Sequence, residues 1–349
     1  MSVPAPVIAV SASLCAAMGF AAAQILQQEA AQSVSADASL RPRILFDLLR
    51  RPRWLAGVAM LLVGFGCQAL ALAYGPIALV QPIVITELAF AIPLAIWRRR
   101  RRAGRREWAG IACVLTGVGL FLALADPAPG IANPSGWDWI VALVPAGGLI
   151  AGATVLASRA QGPRRAMLLG AASGLSFGLL AALTKTATFF LGHDLASAWS
   201  RWQLYLVVGL GIFALLLSQS AYQAGPLAFS VPVADVLDPL VGVVIGTTAF
   251  DERVNVGVGP LAGAMAAGAI ACAGIVLLAT SPTVLSIYED WAGVAPEALV
   301  DPSEDEGASG SSAPRDAISS APPRRRPGRR ARGRAGEPAG GVGRSRRSR

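Results

Sequence analysis

Charge is what this sequence has least of. Only 15% of its 349 residues are Asp, Glu, Lys or Arg, and 54% are hydrophobic. A soluble domain carries roughly 25% charged residues, so the composition argues against an ordinary water-soluble fold. Lysine and histidine each occur once, at Lys185 and His193. There is no HExxH, no phosphate-cradling Gly-rich loop and no nucleophile elbow, so no catalytic constellation or cofactor site is expected. The four cysteines, Cys15, Cys67, Cys113 and Cys272, lie inside apolar runs without CxxC spacing. That excludes a disulfide framework or zinc site and leaves them as small packing residues.

What is present is apolar sequence in long runs. Nine stretches are expected to span a membrane: about 4–25, 54–73, 77–97, 108–125, 137–157, 166–190, 202–222, 227–249 and 257–279. Each is long enough to cross a hydrocarbon core of about 30 Å as a helix. Trp54, Trp97, Trp108, Trp137, Trp139 and Trp202 sit at span edges, where interface anchors belong. Residues 281–349 are rich in Arg, Pro, Gly and Ser, without an apolar run, and read as a disordered tail.

The first run could pass for a signal peptide, with Ala21-Ala22-Ala23 as its cleavage site. No Lys or Arg precedes it, however. Gly19-Phe20 followed by Gln27-Gln28 also looks like Ser176-Phe177 followed by Thr184-Lys185, which argues for a retained helix.

A longer repeat is clearer. CQALALAYGPIALVQP at 67–82 and LSQSAYQAGPLAFSVP at 217–232 match at an offset of 150. Gly75-Pro76 answers Gly225-Pro226, and Pro82 answers Pro232. Each copy joins two apolar runs through a short hinge. The organisation expected is a four-helix repeat over 1–125, a connecting fifth helix in 126–165, a second four-helix repeat over 166–280, and the tail. Repeats of this kind mark transporters built from two halves.

Orientation follows from arginine. The loops after spans one, three and five, together with the tail, hold 27 of the 30 Lys and Arg residues. The positive-inside rule puts that face in the cytoplasm, the N-terminus outside and the C-terminus inside. An odd number of crossings between repeat starts inverts the second copy relative to the first.

The two Gly-Pro hinges, the early prolines, the Gly-rich fourth helices (Gly110/Gly117/Gly119 and Gly263/Gly268/Gly274) and Phe250-Asp251-Glu252-Arg253 together resemble the drug/metabolite transporter superfamily, EamA-like. Gly64, Tyr74-Gly75-Pro76 and Leu79-Val80-Gln81-Pro82 look most like its NIPA-type magnesium transporters and similar actinobacterial membrane proteins. The resemblance implies an all-α membrane protein of two inverted repeats in the cell membrane. Phe65 stands where the magnesium group carries an acid, and Gln68 where it carries an Asn.

Three acids lie mid-span: Glu87 in span three, Asp235 and Asp238 in span eight. A carboxylate at the bilayer centre costs about 2.5–3.5 kcal/mol on insertion scales, so such residues usually face a cavity or a partner. The bland alternatives are a protonated packing residue and, for Asp238-Pro239, an Asp-Pro kink. Lys185, late in span six, either snorkels, pairs with a carboxylate or anchors an anion. Gln28, Gln68, Gln219 and Tyr222 are polar candidates for cavity lining, against a plain role as helix glue.

The function expected is secondary transport of a small polar metabolite or cation by alternating access, coupled to proton movement. Alternatives are a divalent-cation pathway of the magnesium type and a non-transporting scaffold or regulator. The tail arginines, including Arg324, Arg325 and Arg326, fit anionic lipid at the cytoplasmic face better than nucleic acid.

Overall fold

In the computed structural model the residues described are 4–31, 49–98, 100, 102–193, 195–225, 227–255 and 257–286. The expected disordered tail therefore lies outside the described residues, save its first few positions. Eleven named helices occupy the described chain: α1 Ala5–Ala31, α2 Pro52–Tyr74, α3 Ile77–Val84, α4 Glu87–Arg98, α5 Arg105–Ala125, α6 Gly136–Arg159, α7 Gly162–His193, α8 Leu195–Ala198, α9 Trp202–Ala224, α10 Leu227–Ala249 and α11 Val258–Ala279. Among the described residues they supply nine spans long and apolar enough to cross a membrane, α3 and α4 together making one. The nine stretches read from the sequence fall on these spans.

Local chemistry explains where several helices start. Pro52 opens α2, where its missing N–H is no loss. At α6, Ser135 Oγ accepts from the Asp138 N–H and Asp138 Oδ2 accepts from the Ser135 N–H at 2.9 Å, a capping box. At α5 the Glu107 carboxylate accepts from the Gly104 N–H at 2.6 Å and from the Ser281 hydroxyl, which ties the start of α5 to the end of α11.

The third span is not one helix. The α-helix stops at Val84 and restarts at Glu87, with a tighter turn between: Thr86 N–H donates to Ile83 O at 3.0 Å and Ala89 N–H to Thr86 O at 2.9 Å. Pro82 has no N–H to return to the preceding turn, and Pro93 repeats the defect in α4. The Thr86 hydroxyl bonds the Ile83 carbonyl at 2.7 Å, satisfying part of the loosened backbone. The matching part of α10 stays helical across both Pro232 and Pro239.

The pairings of one half recur in the other. α1 packs on α2 as α7 packs on α9, and α1 packs on α3 and α4 as α7 packs on α10. α5 and α11 pack on each other, and α6 lies against α7 and α10. Helix approach is set by small residues, because lipid provides no hydrophobic drive between helices. Gly170, Gly174 and Gly178 form a stripe along α7. A Cβ on Gly174 or Gly178 would stand 2.5 Å from a backbone oxygen of α10, at Ala234 and Asp238, and one on Gly170 would collide with the Ser230 carbonyl in the same way. In α11, Gly259 has open space and Gly263 meets only the Leu124 side chain, so their four-residue spacing marks no close crossing. The close crossing is instead Gly117 against the Ala271 backbone, and Gly110 with Gly274.

Gly174→Ala is therefore expected to cost about 1–3 kcal/mol, the usual range for overpacking, because a carbonyl cannot rotate away. Gly152→Ala, with nothing within 4 Å, is the matched control and should be neutral or stabilising. Thermal unfolding in detergent checks both. Equal midpoints for Gly174→Ala and wild type would show that this contact does not hold α7 to α10.

Of the tryptophans read as interface anchors, Trp97, Trp108, Trp137 and Trp202 are exposed. Trp54 and Trp139 are buried. Trp139 packs edge-on between Trp202 and Phe250, with ring centroids 5.3 and 5.9 Å away, so it anchors helices to each other rather than to the interface.

Candidate functional site

The sequence candidates separate into two places. The first is a closed cluster where α2 meets α3. Gly75 ends α2 and Pro76 caps α3, leaving the first N–H groups of α3 without helical partners. Glu252, in the connection after α10, supplies them. Its Oε1 accepts from the Ile77 N–H at 2.6 Å and its Oε2 from the Ala78 N–H at 2.8 Å. A carboxylate at a helix N-terminus is favoured by the exposed donors and by the helix dipole. Lys185 of α7 completes the cluster, with Nζ 2.5 Å from Glu252 Oε1 and 3.3 Å from the Gly75 carbonyl.

Both charged side chains are buried, at 8% and 0% exposure. The phenyl ring of Phe250 lies 5.6 Å from the ammonium. Gly246 is glycine for a steric reason: a Cβ there would be 2.5 Å from Glu252 Oε2. The same end is closed by backbone bonds between the connections after α5 and α10, Ala128 with Arg253 and Ile131 N–H to Phe250 O at 2.7 Å.

The second place is a cavity of about 110 Å³ between the halves. Glu87, Asp235 and Asp238 all line it, and Glu87 lies within electrostatic range of both aspartates. Glu87 is brought there by the break in span three, as the first residue of α4. Asp235 and Asp238 stand one turn apart on α10. A buried chain of amides links the halves: Gln68 Nε2 donates to Gln81 Oε1 at 2.9 Å, and Gln81 Nε2 donates to Asp238 Oδ1 at 2.8 Å. Gly242 leaves the room Gln81 needs, since a Cβ there would be 2.6 Å from Gln81 Cγ. Asp235 Oδ2 is buried without a hydrogen-bond partner. Phe20, Phe65 and Phe177 form an aromatic wall of the same cavity, with Phe20–Phe65 at 5.2 Å and Phe65–Phe177 at 6.2 Å between centroids.

Gln68 and Tyr222 line this cavity. Gln219 does not; its Nε2 donates to Oε1 of Gln27, which does, at 2.9 Å. Lys185 is away from the cavity, committed to Glu252. The side chain of Gln28 and the whole of Pro226 lie outside the described residues. Pro82 and Pro232 are buried within α3 and α10, and Gly225 ends α9 with an extended backbone.

Sequence reasoning passed over the role of Glu252 and the Gln81 link. The first was signalled only as part of a family-like run, and the second joins residues 157 positions apart. The Gly170/Gly174/Gly178 stripe was legible as four-residue spacing. Among the described residues no three His, Cys, Asp or Glu converge as ligands for a metal ion.

No family model matches the chain, and no solved structure matches it. Over 252 residues, 71% of this chain, it is 27% identical to an uncharacterized protein of Corynebacterium glutamicum, 86% of which the match covers. The similarity therefore extends over most of both chains. The relative's name assigns no activity.

Proposed function

We propose that the chain is a secondary transporter of a small polar metabolite or cation, built from two inverted repeats like the drug/metabolite transporter superfamily its sequence resembles. The observation that carries this reading is the placement of Glu87, Asp235 and Asp238, one from the first half and two from the second, on one cavity between the halves. Intramembrane carboxylates are expensive unless they serve a pathway or a partner. A span broken near its middle and turned toward the cavity is the usual way a transporter exposes binding groups at that depth. The recurrence of helix pairings supports two related halves.

Alternating access needs one closed end at a time. The Lys185–Glu252 cluster, the α3 N-terminus and the paired connections close the end away from the arginine-bearing loops. The cavity reaches instead toward the opposite end of the spans, where Gln24, Gly170, Tyr222 and Ser230 lie. With arginine inside, this is an inward-facing arrangement whose extracellular gate is shut. Rocking the halves about the Gly75 and Gly225 hinges would open the first end and close the second. The carboxylates would then exchange protons with each side in turn.

Orientation has its own test. In a cysteine-free background, Asn133→Cys should react with an impermeant maleimide in intact cells and Gln161→Cys should not; both positions are exposed. Labelling of 161 but not 133 would reverse the topology. Transport itself is tested by comparing metabolites and metals in cells with and without the protein, then reconstituting uptake of whatever differs. A protein that moves no solute in proteoliposomes, and whose acids can all be neutralised without phenotype, would be a scaffold instead.

A further inference from the structure

We infer that the cavity selects a compact organic ammonium ion, held between the Asp235 carboxylate of α10 and the phenylalanine rings of α1, α2 and α7. This rests on the transporter reading only in taking the cavity as the solute site. Charge points to a cation. Three carboxylates line the cavity, and none of its lining residues is Lys, Arg or His. The single lysine of the chain is engaged 2.5 Å from Glu252 at the closed end.

The hydrogen bonds leave one carboxylate oxygen uncompensated. Asp238 Oδ1 already receives Gln81, but Asp235 Oδ2 is buried with no partner. A buried unsatisfied carboxylate oxygen is uncommon in a native protein and calls for a group that supplies an N–H or a positive charge. The rings decide which kind of cation. Phe20, Phe65 and Phe177 all line the space, with Phe20 and Phe65 meeting at 72° and Phe65 and Phe177 at 34°. Ring faces attract cations whose charge is spread over alkyl groups. They offer nothing to a magnesium ion, which takes oxygen ligands in near-octahedral array and sheds water reluctantly. The volume of about 110 Å³ limits the solute to a compact one.

The test uses the full-length protein in detergent micelles, titrated with tetramethylammonium chloride against sodium chloride of equal ionic strength. Binding is read from the thermal unfolding midpoint and from intrinsic fluorescence. Saturable binding is expected, unaffected by magnesium chloride or sodium acetate. Phe177→Leu should weaken it about thirtyfold, the scale of a desolvated cation–π contact, and Asp235→Asn at least as much. Phe177→Tyr keeps the ring and should retain binding, which separates loss of the ring face from loss of the fold. Phe229→Leu, at an exposed ring outside the cavity, should leave binding unchanged.

No saturable binding by wild type, equal binding by Phe177→Leu, or displacement by magnesium would overturn the inference. The measurement involves no flux. Binding without uptake in proteoliposomes would sink the transporter reading and leave this inference standing. Uptake of a solute by a protein that does not bind tetramethylammonium would do the reverse.

Discussion

Lys185→Met is expected to destabilise the protein by about 3–5 kcal/mol, the usual cost of stripping one partner from a buried ion pair. The reason is local. The Glu252 carboxylate keeps its bonds to the Ile77 and Ala78 N–H groups but loses the ammonium that neutralises it in a site with 0% exposure. Glu252→Gln should cost a similar amount from the other side, because it leaves the ammonium buried without a counter-charge, beside the neutral Gly75 carbonyl, the Phe250 ring and an amide oxygen. The double variant should be less damaged than the two costs added, since no charge is then left buried alone. Thermal unfolding of the four proteins gives the coupling. A second readout isolates the closure of this end. Ala78 is fully buried beside Glu252, so Ala78→Cys in a cysteine-free background should be slow to react with a maleimide and react faster in either single variant. Additive losses of stability with unchanged Ala78→Cys reactivity would mean that the pair neither couples nor closes this end.

The largest effect on activity is expected from Glu87→Gln and Asp238→Asn. Both keep side-chain shape, and the amide introduced by Asp238→Asn would still present an oxygen to Gln81 Nε2, which now sits 2.8 Å from Asp238 Oδ1. What is lost is the ability to take up and release a proton. A proton-coupled carrier must return its empty site across the membrane in a defined protonation state, and a permanently neutral site breaks that dependence. Gradient-driven uptake in proteoliposomes should fall to near background in both variants. Solute exchange should persist, because it never requires the empty site to return. Uptake that still follows the proton gradient in both variants would remove these residues as couplers. Loss of exchange together with uptake would assign them to solute binding.

These two sites were legible in the sequence to different degrees. Glu87, Asp235 and Asp238 announce themselves, because a carboxylate in a long apolar run conflicts with its surroundings whatever the fold. Their convergence is another matter. The α-helical spacing of Asp235 and Asp238 places them one turn apart, but Glu87 reaches the same cavity because span three breaks at Ile85-Thr86. Pro82 marks a weak point without saying where the helix restarts, and Pro232 at the matching place leaves α10 continuous. The meaning of Lys185 was open among snorkelling, pairing and anion binding. Its partner lies 67 residues away, and only packing of α7 against the α2–α3 turn brings them together.

The number of spans and their limits to within a few residues were set by sequence alone. The reason is physical: in a bilayer each helix must satisfy its own backbone hydrogen bonds, so length and apolar composition determine it locally. Tertiary structure decided which polar groups meet. Gly170, Gly174 and Gly178 let α7 approach the α10 backbone, Gly242 and Gly246 admit Gln81 and Glu252, and these approaches separate a neutralised ion pair at one end from an acidic, ring-lined cavity between the halves. Side-chain contacts between distant segments depend on how closely helices approach and at what depth, and neither quantity is contained in the hydropathy of any one segment.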